Sequence, residues 1–202
     1  MTGGSEAWRP SVPEGSCAGR LLVASPLLGE GPFHRAVVLV VEHDEDGALG
    51  VVVNAPSPVA VGDVLPSWQP YASGPGVVFR GGPVSLDSAL ALARVPGAAD
   101  AEEDGGPLGW RRVAGGVGLV DLDAPPELLV AEIAGLRVFA GYSGWSGGQL
   151  DDELAHGAWY VVDAEPADAF SPDPGSLWRA VLRRQRSELA FVSTYPEDPQ
   201  LN

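Results

Sequence analysis

Residues 141–150 read Gly-Tyr-Ser-Gly-Trp-Ser-Gly-Gly-Gln-Leu, a glycine-dense turn that carries two aromatic side chains. The turn follows an apolar segment, Leu136 to Tyr142, which predicts a core strand. It precedes a segment from Gly147 to about His156 that predicts a helix. This strand-to-helix joint is the most informative stretch of the chain, and its side chains have two interpretations.

The first interpretation is structural. If Ser146 is the N-cap of the helix, Gln149 lies at position N3 and the two side chains form a capping box. Trp145 and Leu150 then lie at N′ and N4, the positions of a hydrophobic staple. This interpretation accounts for all four side chains without giving any of them a catalytic role, and we prefer it.

The second interpretation is a nucleophile elbow, because residues 144–148 fit G-x-S-x-G between a strand and a helix. A serine hydrolase also needs a histidine and an acid that converge on the serine. His156 is the single histidine after Ser146, and it lies on the same predicted helix as the acids between them. These residues cannot converge on Ser146 as a catalytic triad requires, so we assign no catalytic residue.

Outside the turn, the sequence predicts more strands than helices. Aliphatic and β-branched runs predict strands at residues 21–24, 36–41, 48–53, 77–80, 88–95, 112–120, 136–142 and 159–162. Helices are predicted at 125–134, with Asp123 as N-cap and Gly135 as the stop, at 147–156 and at 175–186, with a weak helical turn at 61–65. A hairpin turn is predicted at 44–47 and an acidic loop at 98–109. Consecutive strands favour an α+β fold with a mixed or antiparallel sheet, and we expect one domain over residues 19–202.

The charge balance bounds the possible partners. The 202 residues include 27 acids and 12 bases, a net charge of −15. A field of this sign repels phosphate backbones and anionic lipids, so direct nucleic-acid binding and membrane binding are disfavoured. The aliphatic runs are far shorter than a membrane span.

The lead-in, residues 1–18, is rich in glycine, serine and proline, and we expect a disordered tail with structure beginning at Arg20. It lacks the basic and apolar regions of a signal peptide, which predicts a cytoplasmic protein. Cys17 is the single cysteine, so an intramolecular disulfide or a cysteine-based metal cluster is excluded.

Two short patterns could bind ions. Residues 80–83, Arg-Gly-Gly-Pro, could form a phosphate nest, but they lack the lysine of a P-loop and are also typical of a tight turn. His43 precedes three acids, yet no second histidine has ligand spacing, and the acids are typical of a solvated hairpin tip. We assign no metal and no cofactor.

A basic patch is predicted near the end of the chain. Arg179, Arg183 and Arg186 recur at helical spacing, opposite an apolar set that includes Trp178 and Leu182. The patch could receive an acidic partner or a nucleic acid. Cations near a helix C-terminus are also simply stabilising, and we prefer this interpretation at a net charge of −15.

Seven motifs together resemble the YqgE/AlgH family of small bacterial proteins over about residues 19–162. They are Leu-Leu-Val-Ala-Ser-Pro at 21–26, Phe-His-Arg at 33–35, Glu-His at 42–43, Gly-Ala-Leu-Gly at 47–50, Asn-x-Pro at 54–56, Gly-Gly-Pro-Val at 81–84 and the turn with its helix at 141–153. Two positions depart from the family pattern. Ala55 stands where relatives usually have Arg, and Ser146 stands where they often have Gly.

The resemblance implies an α+β fold with a bifurcated mixed or antiparallel sheet that includes a small closed barrel and is flanked by helices. It implies no catalytic activity and no cofactor. One branch is named for a genetic link to the regulation of alginate synthesis, and members are usually labelled as candidate transcriptional regulators. Our leading hypothesis is therefore a non-enzymatic regulatory or binding protein, acting on a protein partner or small ligand, that could form a homo-oligomer.

The alternative is an enzyme or small-ligand binder with a cleft near the strand ends. Polar residues embedded in apolar motifs are costly unless they bind one another or a ligand. The candidate ligand-binding residues, which a structural hydrogen-bond network could equally explain, are Arg35, His43, Asn54, Tyr142, Gln149 and Glu153.

Overall fold

The computed structural model describes residues 15–29, 31–98 and 106–196. The strands are β1 (Arg20–Ala24), β2 (Val37–Asp44), β3 (Gly47–Val52), β4 (Pro56–Ala60), β5 (Val77–Arg80), β6 (Val84–Arg94), β7 (Trp110–Ala114), β8 (Val117–Val120), β9 (Gly135–Ser146) and β10 (Trp159–Asp163). The helices are α1 (Val61–Val64), α2 (Gln149–Ala155), α3 (Leu177–Arg183) and α4 (Leu189–Val192).

The strands form one curled sheet in the order β10-β1-β2-β3-β9-β6-β8-β7, with β4 and β5 off this path. β9 is the branch point. One of its edges pairs with β6, while the other pairs with β5 at Phe139 and Ala140 and with β3 from Ser143 to Ser146. The β5–β9 pair is parallel, and the remaining strand pairs are antiparallel. The predicted α+β fold with a bifurcated mixed sheet flanked by helices is confirmed.

The barrel implied by the resemblance takes the form of a half-barrel, because the curled sheet of the described residues runs from β10 to β7 without pairing its two ends. Contacts bring its last strands back toward its first. Arg111 of β7 forms an ion pair with Glu42 of β2 at 2.5 Å. A Cβ placed on Gly19 would lie 2.8 Å from Cβ of Ala114, so a glycine is needed at this close approach.

Apolar side chains alternate between the two faces of β1 and β2. Leu21 and Leu39 point into a concave core that α3 and α4 cover, while Leu22 and Val38 point into a cluster that packs with residues of α2. Both faces are buried, which explains why these strands are continuous apolar runs in the sequence. A third cluster includes Trp68, Leu129 and residues of β5, β6, β8 and β9.

Two sequence predictions of secondary structure are wrong. Residues 112–120 form the β7–β8 hairpin and not one strand, because Gly115 and Gly116 adopt φ of 47° and 70° as a type I′ turn requires. Residues 125–134 form a 3₁₀ turn (Pro126–Leu128) and further turns, and Asp123 caps no helix. This segment buries Leu129 beneath the sheet while leaving Leu128 exposed, so it follows the surface of the core and does not present a helical face.

Other predictions hold with shifted boundaries. The strand predicted at 88–95 is the second half of β6, which ends at Arg94. The predicted helices at 147–156 and 175–186 appear as the shorter α2 and α3. The hairpin turn at 44–47 is confirmed. Residues 1–14 of the expected tail and residues 99–105 of the expected acidic loop lie outside the described residues.

Candidate functional site

The central motif lies where the chain crosses β9. Residues 81–83 carry the backbone from β5 on one edge of β9 to β6 on its other edge. The N–H of Gly81 donates to the carbonyl of Ala140 at 2.9 Å, and the carbonyl of Gly81 accepts from Val52 N and from the buried Ser143 Oγ at 2.8 and 3.1 Å. The Gly-Gly-Pro element is therefore a structural crossing.

The crossing brings backbone against backbone. A Cβ on Gly82 would lie 2.3 Å from the carbonyl carbon and oxygen of Tyr142, and one on Gly81 would lie 2.2 Å from the carbonyl oxygen of Gly141. Real Cβ atoms do not approach this closely, so the two glycine motifs of the sequence are two sides of a single contact.

The turn after β9 differs from the predicted capping box. Ser146 still pairs with Gly47 in the β3–β9 ladder, so the strand continues past the predicted end and Gly148, with φ 75°, occupies the N-cap position. The N–H and Oγ of Ser146 both donate to Oε1 of Gln149, at 3.1 and 3.2 Å. The predicted contact between Ser146 and Gln149 is therefore present, but the N-cap and staple positions are wrong because strand pairing holds Ser146 in the sheet.

Glu153 is the centre of an aromatic cluster on the α2 side. Its Oε2 accepts hydrogen bonds from the indole N–H groups of Trp145 and Trp159 at 2.9 and 2.8 Å, and its Oε1 accepts from Gln149 Nε2 at 3.0 Å. Phe33 packs edge-on against Trp159 with ring centroids 5.3 Å apart. The carboxylate thereby fixes α2 to β9 and β10, and we call these five residues the tryptophan–carboxylate cluster.

Glu153→Ala is expected to lower the free energy of unfolding by about 3 kcal/mol, because two buried indole donors lose a charged acceptor. Urea unfolding measures the loss, and the tryptophan emission of the folded state should shift as the indoles lose their partner. Asp152→Asn is the matched control on the exposed side of α2 and should cost about 0.5 kcal/mol through the helix dipole. Equal losses in the two variants would contradict the assigned role of Glu153.

Arg35 and Asn54 form a second local group. Asn54 accepts from Val37 N at 2.8 Å and donates to the carbonyl of Arg35 at 2.9 Å. The guanidinium of Arg35 lies 4.7 Å from the ring centroid of Trp178 and donates to the carbonyl of Tyr195 at 2.8 Å. Arg35 also has a positive φ of 51°, so these contacts hold a strained loop against α3.

His43 forms a third group with the lead-in. Its Nδ1 accepts from the backbone N–H of Cys17 at 3.0 Å, and its carbonyl accepts from Ser16 Oγ at 2.7 Å. Cys17 falls in the expected tail, yet its side chain is 1% exposed. Burial raises the pKa of the Cys17 thiol, with opposing contributions from nearby Arg20, which lowers it, and Asp151, which raises it.

Cys17 should react slowly with a thiol reagent in the folded protein. Both its burial and its raised thiol pKa lower the concentration of accessible thiolate, so labelling should be at least about 100-fold slower than in the unfolded chain. Absorbance after addition of Ellman's reagent, with and without urea, measures this ratio. Similar rates in the two conditions would show that the Cys17 thiol does not stay buried in solution.

Tyr142 stands apart from Glu153. Its ring packs against the concave core, whereas Trp145 and Glu153 belong to the opposite face, because residues three apart on a strand point to opposite sides. The hydrogen bonds therefore join Arg35 with Asn54 and Gln149 with Glu153, while His43 and Tyr142 lie elsewhere. A role of these six residues in ligand binding stays a prediction.

Arg137 was not expected from the sequence. It lies on β9 within the concave core, 1% exposed, with its guanidinium 4.1 Å from the ring centroid of Phe79. It donates to the carbonyls of Gly74 at 2.8 Å and Ser171 at 3.2 Å, and its Nε has no hydrogen-bond partner among the described residues. Burial lowers its pKa to about 10. The available signal was a single charge within the apolar strand 136–140, since a buried charge must be compensated.

Two cavities lie away from the candidate residues. The first, of about 40 Å³, lies between the β7–β8 hairpin and residues 164–169, and is far smaller than the roughly 300 Å³ of a typical ligand pocket. The second is an open depression of about 320 Å³ beside Trp110, Arg111 and Asp121. None of the six candidate residues lines either cavity.

The described residues contain neither a metal-binding cluster nor a membrane-spanning helix. Over the ranges 15–29, 31–98 and 106–196, no group of three or more His, Cys, Asp or Glu side chains has a geometry that could hold a metal ion. In the same ranges, no helix has the length and apolarity needed to cross a membrane.

The fold and the motif contacts together define a class of protein: a small α+β half-barrel whose sheet branches at a glycine crossing and whose motif side chains hold the strands and helices together. The chain belongs to the AlgH-like family, whose model (DUF179) matches residues 21–190. This confirms the resemblance found in the sequence.

Similar proteins span nearly the same length. UPF0301 proteins of Streptomyces avermitilis and Thermobifida fusca are 63% and 50% identical, each match covering 93% of this chain and 96% of the relative. A crystal structure of a Corynebacterium diphtheriae protein superposes with a TM-score of 0.83 at 33% identity, over 94% of this chain and 96% of that one. The solution structure of AlgH from Pseudomonas aeruginosa superposes with a TM-score of 0.63 at 25% sequence identity. This match covers 98% of this chain and 100% of the AlgH chain.

Proposed function

We propose that this protein is a non-enzymatic regulatory protein that acts by binding a protein partner and not by direct contact with DNA. The proposal rests on the hydrogen bonds of Glu153, the residue of the central motif best suited to act as a general acid or base. Its carboxylate accepts three hydrogen bonds from within the protein, at 2.8 to 3.0 Å. A general acid or base must instead reach a substrate proton.

The other polar motif side chains support the same conclusion. The amide oxygen and nitrogen of Asn54 both form hydrogen bonds with backbone groups, and Ser146 Oγ donates to Gln149. His156 is the histidine nearest in sequence to Ser146 and Glu153, and its Nδ1 forms a hydrogen bond with the carbonyl of Asp152 at 2.7 Å. These side chains are occupied in stabilising the fold, which leaves binding through the surface as the simplest activity.

Charge argues against DNA as the partner. The chain carries a net charge of −15, and several of its arginines are already paired with acids: Arg20 with Asp163, Arg111 with Glu42, and Arg184 with Asp168. DNA binding depends on many cations that each neutralise a phosphate. A protein partner can be recognised through a much smaller patch.

Two titrations test this function. Fluorescence anisotropy with a labelled DNA duplex at low salt should show no saturable binding. A thermal-shift screen across nucleotides, divalent metals and common metabolites should show no rise in melting temperature, because a ligand that binds the folded state raises it by mass action. Tight, sequence-selective DNA binding, or a saturable shift that Glu153→Gln abolishes while Asp152→Asn retains it, would contradict the proposal.

A further inference from the structure

We propose that the exposed corner formed by α3, α4 and their connection is the docking site for a protein partner that presents an apolar side chain flanked by acidic residues. We call this surface the α3–α4 corner; its residues are Arg179, Arg183, Arg186, Phe191 and Tyr195. The inference rests on the proposed function, and it adds the place and the chemistry of the contact.

Positive charge is exposed at the corner. Arg183 and Arg186 are exposed and have no acidic partner among the described residues, whereas Arg184 between them is held by Asp168. Arg179, one turn before Arg183, donates to the carbonyl of Ser193 at 3.2 Å. Arg183 and Arg186 therefore present exposed positive charge in a strongly acidic protein, with the exposed Glu188 of the connection nearby in the chain.

Exposed aromatic surface lies beside these charges. Phe191 is 77% exposed and Tyr195 is 43% exposed, although the residues on the inner side of α3, such as Trp178 and Val181, are buried. Aromatic and arginine side chains are the residues most enriched where protein partners bind tightly. Neither aromatic side chain is needed to fill the core, since Leu189 and Val192 are the residues of α4 that pack against it.

The corner is rigidly mounted. Trp178 Nε1 donates to the carbonyl of Ala24 at 2.8 Å, which fixes the start of α3 to β1. The guanidinium of Arg184 contacts both carboxylate oxygens of Asp168 at 2.6 and 2.7 Å, which fixes its end. A preorganised surface loses little conformational entropy when a partner binds.

The charge distribution selects an acidic protein segment over two other occupants. The corner offers three arginines, Arg179 and Arg183 on α3 and Arg186 in the connection after it. Three cations are too few to neutralise the several phosphates that DNA binding requires. A second copy of the chain would bring another net charge of −15 against the first. A short acidic segment brings only the few charges that contact the arginines, so it meets less repulsion from the acidic remainder of the chain.

The test begins with a random-peptide display library selected on the full chain and counter-selected on an Arg183→Glu, Phe191→Ser double variant. Enriched peptides should carry at least two acidic residues beside an aromatic or aliphatic one. One such peptide is then titrated by fluorescence anisotropy against single variants. Arg183→Glu and Phe191→Ser should each weaken its binding at least about tenfold.

Two matched controls keep the test specific. Arg80 is an exposed arginine elsewhere and Leu27 is a 79%-exposed apolar residue elsewhere, so Arg80→Glu and Leu27→Ser should change binding less than about twofold. All four positions are exposed, so the variants should keep the wild-type melting temperature.

The outcomes separate the site from the function. No acidic enrichment, or equal binding to wild type and Arg183→Glu, overturns the site while the proposed function stands. Displacement of the peptide by a DNA duplex overturns both. A dimer seen by light scattering that Arg183→Glu dissociates overturns the proposal in favour of a second copy of the chain.

Discussion

Gly82→Ala is expected to lower the free energy of unfolding by about 4 kcal/mol or more, a large part of the stability of an ordinary domain. The added methyl group would lie 2.3 Å from the carbonyl carbon and oxygen of Tyr142 and 2.4 Å from the nitrogen of Ser143. These are backbone atoms of β9 at the branch point of the sheet, so they cannot move without breaking strand pairs. Urea unfolding followed by tryptophan fluorescence measures the loss.

Gly148→Ala is the matched control. Gly148 also has a positive φ, 75°, but a Cβ there would meet no atom within 4 Å. It should cost only the backbone strain, about 1 kcal/mol. If the two variants lost the same free energy, the close crossing of residues 81–83 over β9 would not exist as described.

Arg137→Ala is expected to cost about 4 kcal/mol, since it removes a buried side chain and leaves two buried carbonyls without a donor. Those carbonyls belong to Gly74 and Ser171, on two segments that the guanidinium joins above Phe79. Arg137→Met fills most of the space and removes the buried charge, so it should lose about half as much. A loss below about 1 kcal/mol for Arg137→Ala would show that the two segments are held without it.

The difference in unfolding free energy between the wild type and Arg137→Met should also change with pH, in a direction that the pKa of Arg137 determines. Burial lowers the pKa of Arg137 to about 10 in the folded protein, so above that pH the unfolded chain binds more protons at this residue than the folded one. The wild type should therefore gain stability relative to Arg137→Met as the pH rises from about 9 to 11. A constant difference over this range would show that burial does not lower the pKa of Arg137 in the folded protein.

Local patterns predicted most strands because a strand that is buried on both faces is a continuous run of apolar residues in the sequence. The valine-rich run before His43 and the run after Asp46 could be read as strands directly, and their Asp-Gly turn identified the hairpin. Gly115 and Gly116 carried a similar turn signal, but the aliphatic residues on either side gave the appearance of one strand. Pairing information was needed to separate them.

The branch point could not be derived from periodicity. Gly82 and Gly141 are 59 positions apart, and their glycine requirement comes from a contact that only the folded chain makes. Ser146 was misassigned for the same reason, since pairing with Gly47 extends β9 through a turn that local rules end earlier. The resemblance to the family supplied the bifurcated sheet that residue patterns alone did not.

The candidate residues were found by polarity, and polarity alone cannot distinguish a ligand site from a structural network. Glu153 and Asn54 were recognised as costly in apolar motifs, and their hydrogen bonds to indole and backbone groups account for that cost. Arg137, the more deeply buried charge, was overlooked because its strand looked complete without it.

The central claim is that the motif residues maintain the fold while the α3–α4 corner binds the partner. The most direct measurement is a two-dimensional ¹H–¹⁵N NMR titration of the labelled chain with the selected acidic peptide. Chemical-shift changes should concentrate between Leu177 and Tyr195 and leave Gln149, Glu153 and Asn54 unchanged. Changes centred on the tryptophan–carboxylate cluster, with the corner unaffected, would contradict the account.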